Sequence, residues 1–170
     1  MRHSRKKADR DGLAVPTNAL LPAISQLERA VFDDLLILRK LDRIVADFTE
    51  DGVLDWAGGI AKGRENIVKE VHGMRENFAK QEAEDAPLRP ARLRHFMTNI
   101  VVEVNGDTAR SRDFWMEFNN RNAERKAYSG AYGHAENELR KVNGKWLIAS
   151  RKIFNEEMPS RTAPMQNPAW

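Results

Sequence analysis

The sequence contains no cysteine, which excludes disulfides and thiolate metal sites and is compatible with a reducing compartment. It contains no apolar run approaching the ~20 residues that cross a bilayer. Its basic N-terminus is not followed by the apolar stretch of a signal peptide. These features lead to the expectation of a cytoplasmic protein that does not enter the membrane. There is no glycine-rich loop of either phosphate-cradling type, because Gly58-Gly59 stands alone as a turn. No pair of histidines has ligand spacing with a carboxylate, and a serine nucleophile elbow is missing. What remains to move protons is a set of carboxylates and one or two of the four histidines. An enzyme built from these is expected to be an acid–base catalyst with no metal and no cofactor.

A length of 170 residues fits one domain, and such a chain buries about 70% of its unfolded surface. The composition, 41% hydrophobic and 31% charged, is that of an ordinary globular protein. Within residues 1–10, Arg2, Arg5, Lys6, Lys7 and Arg10, against Asp9, carry more than the whole net charge of +3. The body is therefore near neutral, and residues 1–18 form a basic arm. The arm reads as a solvated tail, the alternative being contact with nucleic acid or anionic lipid.

From Leu20 the apolar residues Ile24, Leu27, Val31, Leu35 and Leu38 fall at helical spacing, and Leu41, Val45 and Phe48 resume the stripe. The pattern predicts one long helix or two, with Asn18 or Thr17 as cap. Thr49–Gly52 closes that section. Val53–Trp56 reads as a short strand, and Ile67, Val71, Met74 and Phe78 mark a helix over about 64–80. The period then changes to two. Strands are expected over 93–104, 108–119, 124–142 and 145–154, with turn signals at Asn105-Gly106-Asp107 and Asn143-Gly144. Gly130 and Gly133 inside the third of these predict a bulge or strong bend. Helices first and then a four-stranded antiparallel meander make an α+β fold: a curved sheet wrapped around N-terminal helices, leaving a cone-shaped hollow. The domain spans 19–158, followed by an irregular tail, 159–170.

Four segments carry a resemblance. They are Phe48–Asp55, Gly63–Ile67, the pair Arg94–Asn99 with Asn105–Ala109, and the pair Glu138–Arg140 with Gly144–Ile148 and Arg151. In this order and spacing, over about residues 20–156, the chain resembles the SnoaL-like branch of the nuclear-transport-factor-2-like superfamily, which implies a cystatin-like cone. It is similar to scytalone-dehydratase-like enzymes, which carry a pocket histidine where His95 falls. Their helix Asp and Tyr positions are here Ile37 and Leu36, and a second pocket histidine falls near Asn119. It is also similar to the small subunits of ring-hydroxylating dioxygenases, which hold no metal and support a larger subunit.

His95 is the first candidate for catalysis. Strand alternation puts His95, Met97 and Asn99 on one face, and an imidazole titrates near neutrality. Asp34, between Val31 and Leu38 on the first helix, either joins the core-facing stripe as a partner or lies at its edge beside Asp33. Asp113 shares one strand face with Ser111, Trp115, Glu117 and Asn119, while Arg112, Phe114, Met116 and Phe118 form the other. Periodicity leaves open which face looks inward; the resemblance implies the Asp113 side, where Asp113 and His95 would pair. Trp56, Trp115, Tyr128 and Tyr132 are candidates for a pocket lining suited to flat apolar ligands, or for ordinary core and dimer packing. Asn99 or Asn119 would hold a substrate oxygen. Trp146 and Ile148 belong to the core, His72 is exposed, and His134 faces either side.

The expectation is a cofactor-free lyase or isomerase, dehydratase-like, acting on a small apolar cyclic substrate. The alternatives are an accessory subunit like that of the dioxygenases and a non-catalytic small-molecule-binding homodimer. Dimerisation is expected through the sheet, because Phe114, Met116 and Phe118 on one open face need cover.

Overall fold

Two tight turns organise the second half of the chain. In the first, Gly106 takes a positive φ of 58° between Asn105 and Thr108. In the second, Asn143 and Gly144 both do, at 51° and 78°. Such turns match the twist of the strands they join. The computed structural model describes residues 45–84 and 94–165, and shows the strands on either side. In chain order the elements are β1 (Phe48–Trp56), β2 (Gly59–Lys62), α1 (Arg64–Glu84), β3 (Arg94–Asn105), β4 (Thr108–Asn119), β5 (Tyr128–Val142) and β6 (Lys145–Asn155). The first helical section and the basic arm, with Asp34, lie outside the described residues apart from Val45 and Ala46 at its end.

The six strands form one sheet in the order β2-β1-β6-β5-β4-β3. It is a mixed sheet: every pair is antiparallel except β1 and β6, which run parallel. This extends the expected four-stranded meander. Phe48 does not end a helical stripe; it opens β1, opposite Ile148. Thr49–Gly52 is strand and not a stop. Tertiary pairing decides this, since Phe48 is buried to 2% exposure only by joining the sheet. The four-residue β2 is too short to announce itself, with Ala61 its one buried side chain. Register shifts interrupt β1–β6, β3–β4, β4–β5 and β5–β6, and each such bulge bends its strand.

Helix α1 starts behind Gly63, whose φ of 79° lets its carbonyl accept the amides of Asn66 and Ile67. Arg64 fastens this start to β1 through Glu50 and the Phe48 carbonyl. Ile67 and Val71 then bury one face of α1 against Phe48, Leu54, Ala61, Ala109, Leu139 and Ile148. Each large side chain of this cluster contributes about 2 kcal/mol by leaving water. The cluster defines the inner face of the sheet. Helix and bent sheet together make the expected α+β architecture. Beyond β6, Arg161 ties the irregular segment back to the β1–β2 turn through Asp55 and the carbonyls of Trp56 and Gly59.

Candidate functional site

Strand pairing arranges the inner face in rungs. The first is apolar: Ile148, Leu139, Ala109 and Val104, with Phe48 beside Ile148. The next runs Leu54–Arg151–Asn137–Ser111–Val102 and is polar at its centre. Then come Ile153–Ala135–Asp113, and Asn155–Gly133–Trp115–Met97. The last pairs Glu117 with His95. The inner face thus changes from oily to polar, and then to an indole beside an imidazole–carboxylate pair.

Asp113 faces inward, which settles the question that periodicity left open. It is 2% exposed. Its Oδ2 accepts a bond from Asn137 Nδ2 at 3.3 Å, while its Oδ1 is buried without a partner among the described residues. Asn137 Nδ2 also donates to Ser111 Oγ at 3.0 Å, and Arg151 Nη1 donates to Asn137 Oδ1 at 3.0 Å. Burial holds the Asp113 carboxyl above its ordinary 3.8, a rise that Arg151, the Asn137 bond and His134 oppose without cancelling. Burial likewise pushes the Arg151 guanidinium down, and Asp113 pulls it back.

His95 is half-buried, with Nε2 3.5 Å from Glu117 Oε2 and its ring edge-on to Trp115 at 5.9 Å. Its carboxylate partner is therefore Glu117, and the expected pair with Asp113 is not formed. Glu117 lies four residues beyond Asp113 on β4, roughly 13 Å along a strand. Two glycines on β5 make room here. A Cβ on Gly130 would meet Glu117 Oε1 at 2.1 Å, and one on Gly133 would meet Trp115 Cζ2 at 3.2 Å. The expected bulge falls at this point, between Met116↔Tyr132 and Phe118↔Ser129.

The remaining candidates are dispersed. Trp56 lies at the β1 edge against the core, its indole donating to Glu70 Oε1 at 2.9 Å. Asn99 does not continue the inward phase of His95 and Met97. It sits exposed in a bulge with φ 52°, its Oδ1 3.4 Å from Thr98 Oγ1. Asn119 is half-buried and caps the following turn, its Oδ1 accepting the amides of Asn120 and Arg121. Tyr132 is on the outer face, 48% exposed and opposite Met116, because one residue along β5 reverses the side. Tyr128 is exposed too.

Sequence reasoning assigned no role to Asn137. It also missed the use of Arg151 and Glu117. The signal was present: Ala135, Asn137 and Leu139 share one phase of β5, so a lone amide in an apolar register marks an inward polar group. His134 faces outward. It is buried, stacked on Phe154 at 4.3 Å, with Nδ1 2.5 Å from Glu156 Oε1. Among the described residues, no group of three or more histidines and carboxylates is placed to hold a metal ion.

Comparison with known proteins places this geometry. The sequence model of the SnoaL-like domain matches residues 38–152. None of the curated proteins compared matches the chain. A cystatin-like-fold protein of unknown function from Nostoc punctiforme is 23% identical, with a TM-score of 0.62 over 86% of this chain and 95% of its own. ActVI-ORFA of Streptomyces coelicolor is 16% identical, with a TM-score of 0.66 over 84% and 98%. A protein proposed to be a scytalone dehydratase from Novosphingobium aromaticivorans is 21% identical, with a TM-score of 0.61 over 90% and 99%. At these identities the likenesses speak to the fold, and together with the sequence match over most of its length they make this chain a member of the SnoaL-like family.

Proposed function

We propose that the protein is a cofactor-free acid–base catalyst, a lyase or isomerase of dehydratase type, acting in the cytoplasm on a small apolar cyclic molecule held against the inner face. The observation that carries this reading is Asp113: a carboxyl buried on the inner face, kept above its ordinary titration range, with one oxygen unpartnered among the described residues. Such a group can give or take a proton at a pH where an exposed carboxylate cannot. Trp115 supplies a flat apolar wall beside it, and the His95–Glu117 pair supplies a second proton-handling group at the far end of the same strip. Two such groups at separate points fit a reaction that removes a proton at one atom and delivers one at another.

The test uses the full chain and a panel of cyclic ketones and cyclic β-hydroxy ketones. Water loss is followed by absorbance and α-proton exchange by mass spectrometry in D2O. Asp113→Asn and His95→Gln should each reduce turnover by about 100-fold or more, with near-UV circular dichroism unchanged. Turnover indifferent to both substitutions, or none by the parent chain on any member of the panel, rejects the reading.

A second feature supports an association that is compatible with catalysis and is also what a binding dimer or accessory subunit would need. Phe96, Met116, Phe118 and Tyr132 are all exposed on the outer face of β3–β5. We propose that a second copy of the chain covers them.

A further inference from the structure

We propose that Asn137, clamped by Arg151, is a positioning residue: it occupies one oxygen of Asp113 and leaves the other as the single point of contact for one carbonyl or hydroxyl oxygen of the bound molecule. This rests on the reading that Asp113 meets that molecule.

The argument starts from donor chemistry. A guanidinium only donates, so Arg151 Nη1 at 3.0 Å obliges Asn137 to turn its Oδ1 towards β6. The amide nitrogen then points towards β4, where its two hydrogens meet Ser111 Oγ at 3.0 Å and Asp113 Oδ2 at 3.3 Å. Both amide hydrogens and the amide oxygen of Asn137 are now engaged, and burial to 2% exposure removes the choice of flipping towards water. The two charges do not touch among the described residues; the amide stands between them. This geometry is asymmetric. Oδ2 is engaged and Oδ1 is buried with no partner among the described residues, a state that costs about 1–3 kcal/mol until something binds there.

The asymmetry selects the chemistry of the occupant. A guanidinium or amidine would need both carboxyl oxygens at once and finds only one. A single carbonyl or hydroxyl oxygen at the end of an apolar ring needs one. Among the described residues, the other charged groups near the carboxyl are few. Arg151 on β6 acts on it through space as well as by clamping the amide, and His134 on β5 acts from behind the sheet. The His95–Glu117 pair lies four residues further along β4. Helix α1 packs on β1 and β2.

The test is a carboxyl 13C NMR titration of the full chain, with the Asp113 signal identified by its loss in Asp113→Asn. Asn137→Ala removes the bond to Oδ2 and should move the Asp113 midpoint up by about one pH unit. Ser111→Ala leaves Asp113 as the remaining acceptor for the Asn137 amide hydrogens and should lower the midpoint or hold it. A merely structural Asn137 would change the melting temperature and leave the midpoint where it is. A midpoint unchanged in folded Asn137→Ala, or raised in Ser111→Ala, overturns the proposal; if Asn137→Ala does not fold, Asn137→Ser is read by the same criterion. The readout needs no turnover, so failure of the catalytic reading shows separately in the ketone panel.

Discussion

At the scale of single residues, Asp113 links chemistry to stability. Its folded-state titration lies above the ordinary 3.8 because burial disfavours the charged form. The folded state therefore holds a proton that the unfolded chain has already released, and stability falls as pH rises from the unfolded value through the folded one. Asp113→Asn removes that titration. Thermal melts of both proteins between pH 4 and 8 should show the variant gaining on the parent as pH rises; a difference in melting temperature that stays flat across that range would contradict the assignment. Reading such a residue from sequence alone is hard for a physical reason. Alternation groups Asp113 with Ser111 and Trp115, yet the opposite face carries Phe114, Met116 and Phe118 and is the more apolar of the two. Only the family resemblance pointed inward. Asn99 failed for a different reason: a bulge between Thr98 and Val101 breaks the phase that His95 and Met97 begin, and nothing in that short run signals it.

At the scale of elements, β5 shows how two glycines in one strand do different work. A Cβ on Gly133 would lie 2.0 Å from the Phe154 carbonyl, which is backbone of β6 and cannot move without parting the strands. Gly133→Ala should lose about 3 kcal/mol of stability in chemical denaturation. A Cβ on Gly130 would meet the Glu117 side chain from Cγ outward, which can rotate away. Gly130→Ala should keep the fold and separate Glu117 from His95, visible as moved His95 ring resonances by NMR. Equal destabilisation by the two substitutions would refute this division. Where turn chemistry is local, the elements were legible: the Gly106 and Asn143-Gly144 turns set the facing ends of β3 and β4 and of β5 and β6 closely. β1 was legible only in its second half, and β2 was not. Their strand character comes from partners distant in sequence, and Phe48 carries a helical spacing that tertiary pairing overrides.

At the scale of the whole molecule, the outer face divides into two parts. One end is a charged ladder, with Arg112 opposite Glu136 and Glu136 opposite Lys152. The other holds Phe96 edge-on to Phe118 at 5.5 Å, beside Met116 and Tyr132. Covering the apolar end with a second copy predicts a dimer in sedimentation equilibrium. Phe118→Asp should then yield a folded monomer. A parent chain that sediments as a monomer at tens of micromolar would rule the dimer out.

The parallel seam between β1 and β6 has a consequence for how the protein is made. Phe48 meets Ile148 across about a hundred residues of chain, so the seam cannot close until nearly all of the domain has left the ribosome. Closing so large a loop is slow, and until then the apolar edge of the nascent sheet stays open to chaperones and to other chains. Translation stalled before residue 145 should leave a product that binds holdases and aggregates, whereas release of the last strand should bring protease resistance abruptly rather than by degrees.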